Sequence, residues 1–158
     1  MGELEIRGPW VSGAYYNTED TEKFTGDGWF KTGDIVTIDE NGYVEIQDRT
    51  KDLIKSGGEW ISSVALENAL MAHDAVAEAA VIAISDERWG ERPLGVVVLK
   101  EDAEATEEEL MSHLAADHPK WSLPDAIEFV DEIPHTATGK ALKMELRERY
   151  RDYTPAKG

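Results

Sequence analysis

Cysteine is absent from this 158-residue chain. That excludes a disulfide framework, a thiolate metal site and a cysteine nucleophile, and it leaves the redox compartment unconstrained. Long apolar runs are absent too. No segment approaches the roughly 18 consecutive apolar residues of a membrane span, and the opening MGELEIRGP lacks the apolar core of a signal peptide. A soluble, cytoplasmic protein with no membrane span is expected. Basic residues are scarce, with Lys plus Arg at 16 against 33 Asp plus Glu, for a formal net charge of -17. Such a surface argues against nucleic-acid binding, which needs a basic face, and it repels nucleotides unless a site gathers its own cations. Acidity of this degree is the pattern of a salt-adapted, halophilic protein, in which high ionic strength screens self-repulsion.

The few cations are bunched. Arg49, Lys51 and Lys55 fall within seven residues, and Lys140, Lys143, Arg147, Arg149 and Arg151 form a second group. The first group lies in QDRTKDLIKSGGEWIS, residues 47–62, around which the chain is organised. Its cations alternate around Leu53 and Ile54 as in a strand, Gly57 and Gly58 free the backbone for positive φ or close approach of a ligand, and Ser62 and Ser63 are natural caps for a helix over 64–71. The expected order is strand, glycine turn, helix. Such a unit gathers backbone N–H groups and cations around an anion. It is equally a structural turn with solvated lysines, and spacing alone leaves both readings open.

Residues 4–6 are a short strand candidate, followed by an irregular segment over 12–25. WFKTGDIVTI, residues 29–38, has strand composition that breaks at Thr32-Gly33-Asp34, and Asn41-Gly42 turns the chain into a returning strand over 43–46. Further on, 76–84 and 93–99 read as buried strands separated by the charged loop SDERWGER, 85–92. Thr106 to Glu109 is a capping box opening a helix through about His118, 126–130 is a short strand, 133–140 is a loop and 141–150 a helix headed by Lys140. The fold class expected is α+β, a small β-hairpin followed by a compact three-stranded sheet flanked by helices. His73, His113 and His118 show no metal-ligand spacing with carboxylates and read as surface residues, so no metal site is expected.

Three runs then fall into a known order. WFKTGD (29–34), DRTKDLIKSGGEWISSVALE (48–67) and PHTATGK (134–140) resemble the last three core motifs of the adenylate-forming superfamily, which includes acyl-CoA synthetases, the adenylation domains of peptide synthetases, and luciferases. The opening GELEIRGPWVSGAYYN is similar to the segment closing the large N-terminal domain of that family, so the resemblance covers essentially the whole chain. It implies residues 1–47 as the tail of the N-terminal domain, carrying the ribose-binding TGD, and 48–158 as a mobile C-terminal domain. It implies a two-step reaction: a carboxylic acid and ATP form an acyl-adenylate and pyrophosphate, then a thiol, usually of CoA, displaces AMP. Asp34 would accept hydrogen bonds from the ribose hydroxyls, Arg49 would reach the ribose or phosphate region, and Lys51 would be the hinge. Gly57 and Gly58 would let the pantetheine arm of CoA pass, and Lys140 would be the catalytic lysine between acyl carboxylate and phosphates. His135 stands where the family often has a basic residue and receives no role.

GGEWISS with Trp60, and Trp89 in DERWGERP, look most like the fatty-acyl-CoA ligase branch acting on medium or long chains. The family's phosphate loop and Mg²⁺-binding glutamate belong upstream, in the large N-terminal domain that would be this chain's partner. A fragment lacking them is expected to be inactive alone. Two other readings stand beside this one. The first is a non-catalytic binding or regulatory domain of the same fold, and the second an enzyme whose acceptor is a carrier-protein thiol.

Overall fold

The β-branched and aromatic residues of 29–38 form the middle strand of the first of two units, Met1–Lys51 and Asp52–Gly158, into which the chain divides. The computed structural model describes residues 1–16 and 21–155. The part of the expected irregular segment at 17–20 therefore lies outside the described residues. In the first unit β1 (Gly2–Ile6), β2 (Phe30–Ile38) and β3 (Val44–Arg49) make an antiparallel sheet in that order. The expected hairpin is its β2–β3 half. Its turn is held by Asp39, whose carboxylate accepts the N–H groups of Asn41 (2.9 Å) and Tyr43 (2.8 Å), with Gly42 at φ +86°. Thr32-Gly33-Asp34 does not break the strand as expected. Gly33 takes φ +76°, which glycine permits at little cost, and β2 runs through it. The division falls after Lys51. β3 reaches Arg49, and the Thr50 N–H donates to the Gly33 carbonyl (2.8 Å), keeping 48–50 with the first unit.

In the second unit a five-stranded sheet runs β5-β4-β7-β6, with β8 parallel to β7. Its strands are β4 (Ile54–Ser56), β5 (Glu59–Ile61), β6 (Val76–Asp86), β7 (Gly90–Leu99) and β8 (Ala126–Phe129). The α-helices among its described residues are α1 (Ser63–Met71), α2 (Glu107–Leu114) and α3 (Lys143–Arg149). The α+β class holds. The sheet has five strands instead of three because the central stretch contributes a hairpin, so Gly57-Gly58 joins two strands, not a strand to a helix. Residues 85–92 are likewise no free loop: β6 and β7 pair as far as Asp86↔Gly90, leaving only a tight turn between them.

Both faces of this sheet are covered, which explains the continuous apolar runs of its long strands. Val81 and Val97 pack with Leu66 and Leu70 of α1, Leu110 and Leu114 of α2, and Ile127. Their neighbours Ile82 and Val96 point the other way, into a cluster with Leu94, Ile133 and Leu146 of α3. Ser62 caps α1 through the Ala65 N–H (3.1 Å). The Thr106 capping box opens α2, and the Thr106 backbone N–H holds the Glu109 carboxyl below its ordinary range. The second helix ends at Leu114, a turn earlier than expected. His73 and His113 are half-buried instead of lying on the surface, their rings edge to face at 5.1 Å.

Candidate functional site

Antiparallel pairing of β2 and β3 places Asp34 directly opposite Arg49. The Arg49 Nη1 donates to Asp34 Oδ1 at 2.5 Å, which leaves Oδ2 as an acceptor for a further donor. The Asp34 side chain is 22% exposed and that of Arg49 54%. The Asp34 backbone is fixed by the Thr32 hydroxyl, which accepts its N–H (3.0 Å) and donates to the Leu4 carbonyl (2.9 Å). Beside this pair the first unit has a cleft of about 490 Å³, with Lys23, Lys31, Gly33, Arg49 and Lys51 in its lining. Glu3 and Glu22 line it too, so three lysines and an arginine outnumber two carboxylates in one cleft of a strongly acidic chain. Lys51 is exposed and is the last residue of the first unit.

In the second unit Gly57 (φ +59°) and Gly58 (φ +92°) form the turn between β4 and β5. A Cβ on Gly57 would lie 2.6 Å from Cε3 of the Trp89 ring, whereas one on Gly58 would meet nothing within 4 Å. Glycine at 57 is thus required both by its backbone and by the tryptophan lying over it. Gly58 is required only by its φ, and the space in front of it is open. Next to the turn is a cleft of about 400 Å³, with Trp89, Trp121, Arg88 and Arg92 among its lining. Trp89 is held by the β6–β7 turn, where the Asp86 carboxylate accepts the N–H groups of Arg88 (2.8 Å) and Trp89 (2.7 Å). The Arg88 guanidinium stacks on the Trp89 ring at 4.5 Å. Reading the motifs missed Trp121 and both arginines altogether. The signal present in the sequence was a pair of tryptophans in otherwise polar segments, too sparse to place in one cleft.

Lys140 does not head a helix. Its backbone N–H donates to the Thr136 hydroxyl (3.2 Å), its carbonyl accepts the Thr136 N–H (2.8 Å), and Gly139 at φ +78° closes the turn between them. The helix starts three residues later, so the Lys140 side chain is exposed on a turn and not set against a helix dipole. That turn is anchored on both sides. Before it, His135 Nε2 meets Glu78 Oε1 of β6 at 2.6 Å. After it, Lys143 pairs with Glu67 of α1 at 2.6 Å and donates to the Ser63 hydroxyl at 2.8 Å, while Arg147 pairs with Asp52. The structure therefore brings Asp34 to Arg49 and sets Gly57 in the lining of a cleft, with Gly58 next to it in the same turn. It presents Lys140 separately on an anchored turn.

The comparisons with known proteins fit this geometry. Residues 65–140 match the model of the AMP-binding enzyme C-terminal domain. The chain is 57% identical over 156 residues to a long-chain-fatty-acid–CoA ligase of Thermus thermophilus, an alignment taking in 97% of this chain and 29% of that protein. It is 49% identical over 152 residues to a 3-methylmercaptopropionyl-CoA ligase of Ruegeria lacuscaerulensis, covering 96% of this chain and 28% of that protein. Among solved structures, ATP-bound MatB from Rhodopseudomonas palustris superimposes with a TM-score of 0.87 at 35% identity, over 96% of this chain and 30% of MatB. The chain thus spans under a third of the length of these relatives. With the motif order, the fold and the relatives in agreement, the chain belongs to the family of AMP-binding enzyme C-terminal domains, the C-terminal portion of adenylate-forming enzymes.

Proposed function

We propose that this chain is the C-terminal portion of an ATP-dependent, AMP-forming acid–thiol ligase. The full-length protein joins a medium- or long-chain fatty acid to CoA through an acyl-adenylate. The observation that carries this reading is the Asp34–Arg49 pair at the edge of a cation-lined cleft, because a chain of net charge -17 has no structural need to collect lysines and arginine there. Asp34 Oδ2 accepts a ribose hydroxyl, and Arg49, held by Oδ1, keeps its remaining N–H groups for the ribose or phosphate region. Lys140 supplies the cation for the acyl carboxylate and phosphates during adenylation. The tryptophan-lined cleft at Gly57-Gly58 takes CoA: the open side of Gly58 admits the pantetheine arm, Trp89 and Trp121 offer apolar faces, and Arg88 offers a cation for its phosphates. Mg²⁺ bound by the preceding domain supplies charge neutralisation at the ATP phosphates. The described residues contain no group of three or more His, Asp and Glu side chains fit to hold a metal.

The apolar residues exposed on the first unit, Trp10, Tyr16, Tyr43 and Ile46, are the surface that a preceding large domain covers. Relatives nearly as similar to this chain act on acids as different as long-chain fatty and 3-methylmercaptopropionic acids, so the test is a panel. Carboxylate-dependent AMP release by the full-length protein, measured with acids of increasing chain length and with either CoA or a carrier-protein thiol as acceptor, should favour medium or long chains and CoA. Preference for a short acid or for the carrier protein overturns that part of the reading.

Lys51 is the hinge in this proposal, in a cytoplasmic enzyme whose C-terminal portion turns between two arrangements. Lys51→Pro fixes φ near about −65° and should trap one arrangement, slowing one half-reaction far more than the other. Equal slowing of both would move the hinge to another residue. The acidic surface is read as a salt adaptation. The melting temperature of the protein should then rise steadily from low to molar KCl as repulsion is screened, and a flat or falling curve contradicts that reading.

A further inference from the structure

Two arginines line the cleft beside Gly57, and their surroundings differ. Arg88 is exposed and rests on Trp89. Arg92 is 11% exposed and its guanidinium is nearly saturated. Nε donates to Asp125 Oδ1 (2.7 Å), Nη1 to the Ser56 hydroxyl (3.0 Å) and to the Trp121 carbonyl (2.7 Å), and Nη2 to the Leu123 carbonyl (2.8 Å). Of the five N–H donors of an arginine, one is left for anything else.

These acceptors belong to the two walls of the cleft. Ser56 ends β4 and leads directly into Gly57, under Trp89, while Trp121, Leu123 and Asp125 belong to the segment leading into β8. Each wall is also tied to the sheet: β4 pairs with β5 over three positions, and β8, which begins right after Asp125, pairs with β7 over four. β4 shares a single register pair with β7, Ser56↔Gly90, to which are added the Gly57 N–H to the Trp89 carbonyl (2.8 Å) and the Lys55 N–H to the Glu91 carboxylate (2.8 Å). On the other wall, the N–H and hydroxyl of Ser122 bond to the Pro119 carbonyl, which is internal to the turn, and the Asp125 N–H donates to the Pro93 carbonyl (2.9 Å) just ahead of the β7–β8 ladder. Between those points a single guanidinium spans from one wall to the other.

We propose that Arg92 is a positioning residue for the acyl acceptor: it fixes the separation of the Gly57/Trp89 wall from the Trp121 wall, and so sets affinity for a phosphorylated pantetheine thiol without binding that ligand's phosphates. This rests on the reading of the cleft as the CoA site. A planar fork with bonds in several directions does this, and a lysine, which presents one point of charge, can replace it only in part.

The test uses Arg92→Met, Arg92→Lys and Trp89→Ala in the full-length ligase, with KM for CoA, KM for dephospho-CoA, KM for pantetheine, carboxylate-dependent pyrophosphate release and melting temperature measured for each. Arg92→Met should raise KM for CoA by about tenfold or more, the usual scale of a displaced binding wall, with pyrophosphate release little changed. Arg92→Lys should fall between it and wild type. The increase should be equal for CoA, dephospho-CoA and pantetheine, because Arg92 has its donors committed to protein. An increase seen with CoA and lost with dephospho-CoA, which lacks the 3′-phosphate, or lost with pantetheine, which lacks every phosphate, would make Arg92 a phosphate ligand and overturn the proposal. If Trp89→Ala raises KM for CoA and neither Arg92 variant does, the positioning role is wrong and the cleft assignment stands. If Trp89→Ala also leaves it unchanged, the cleft is not the CoA site and the inference falls with that reading. If Arg92→Met does not fold, Arg92→Lys decides alone: a raised KM for CoA with unchanged KM for ATP supports the role, and a proportional loss of both half-reactions refutes it.

Discussion

Lys140→Ala in the full-length ligase is expected to lower carboxylate-dependent pyrophosphate release by a factor of ~10²–10³, while conversion of synthetic acyl-adenylate and CoA to thioester stays largely intact. A preorganised cation aimed at charge that develops in the transition state contributes about 2.7–4 kcal/mol, which corresponds to that factor. The structure fixes the backbone of the turn that carries this lysine. Thr136 and Gly139 fix the backbone of the turn, and the His135–Glu78 and Lys143–Glu67 pairs fasten its two ends. None of these contacts uses the Lys140 side chain, which is exposed, so its removal should leave stability within about 0.5 kcal/mol of wild type. In the proposed reading the thiol step draws on the cleft beside Gly57 and does not need this lysine. Acetylation of Lys140 removes the same charge and should copy the mutant. A variant that loses both half-reactions equally would assign Lys140 to the fold or the hinge instead.

Asp34→Ala should weaken apparent ATP affinity by roughly 10–150-fold, the equivalent of about 1.5–3 kcal/mol for a hydrogen bond to a charged group. Two effects act in the same direction. The ribose loses its carboxylate acceptor, and Arg49 loses the partner that holds it across the β2–β3 ladder. Arg49→Ala leaves the ribose acceptor in place but removes the guanidinium itself, so it should also weaken ATP binding. ATP affinity unchanged in Asp34→Ala would remove the ribose assignment. The pair is half-open to solvent, so its attraction alone adds little to stability, and melting temperatures of both variants should stay close to wild type.

What could be read from residues alone follows a physical division. Local rules served where the determinants are local: Ser62 and the Thr106 box begin α1 and α2, Asp39 and Gly42 make their turn, and the motif runs announce a family. They failed where a distant partner decides. Gly57-Gly58 looked like the approach to a helix because β5 is only three residues long, and its strand character comes from pairing with β4. SDERWGER looked like a free loop because its charges hid the β6–β7 ladder, which continues to Asp86↔Gly90. Ala141 and Leu142 favour a helix headed by Lys140, whereas the Thr136 turn and the bridge between His135 and Ala141 hold the chain out of it. Trp89 over Gly57 and Arg92 across to Trp121 join residues about thirty positions apart, which no periodicity can show.

The central claim is that this chain works in a ligase that forms AMP and an acyl thioester. The most direct measurement is the product balance of the full-length protein with ATP, a medium- or long-chain fatty acid and CoA, followed in one reaction. The account predicts AMP, pyrophosphate and acyl-CoA in equal amounts, with acyl-adenylate accumulating when CoA is withheld. Formation of ADP and phosphate, or of acyl-CoA without a detectable adenylate when CoA is omitted and then restored, would contradict it.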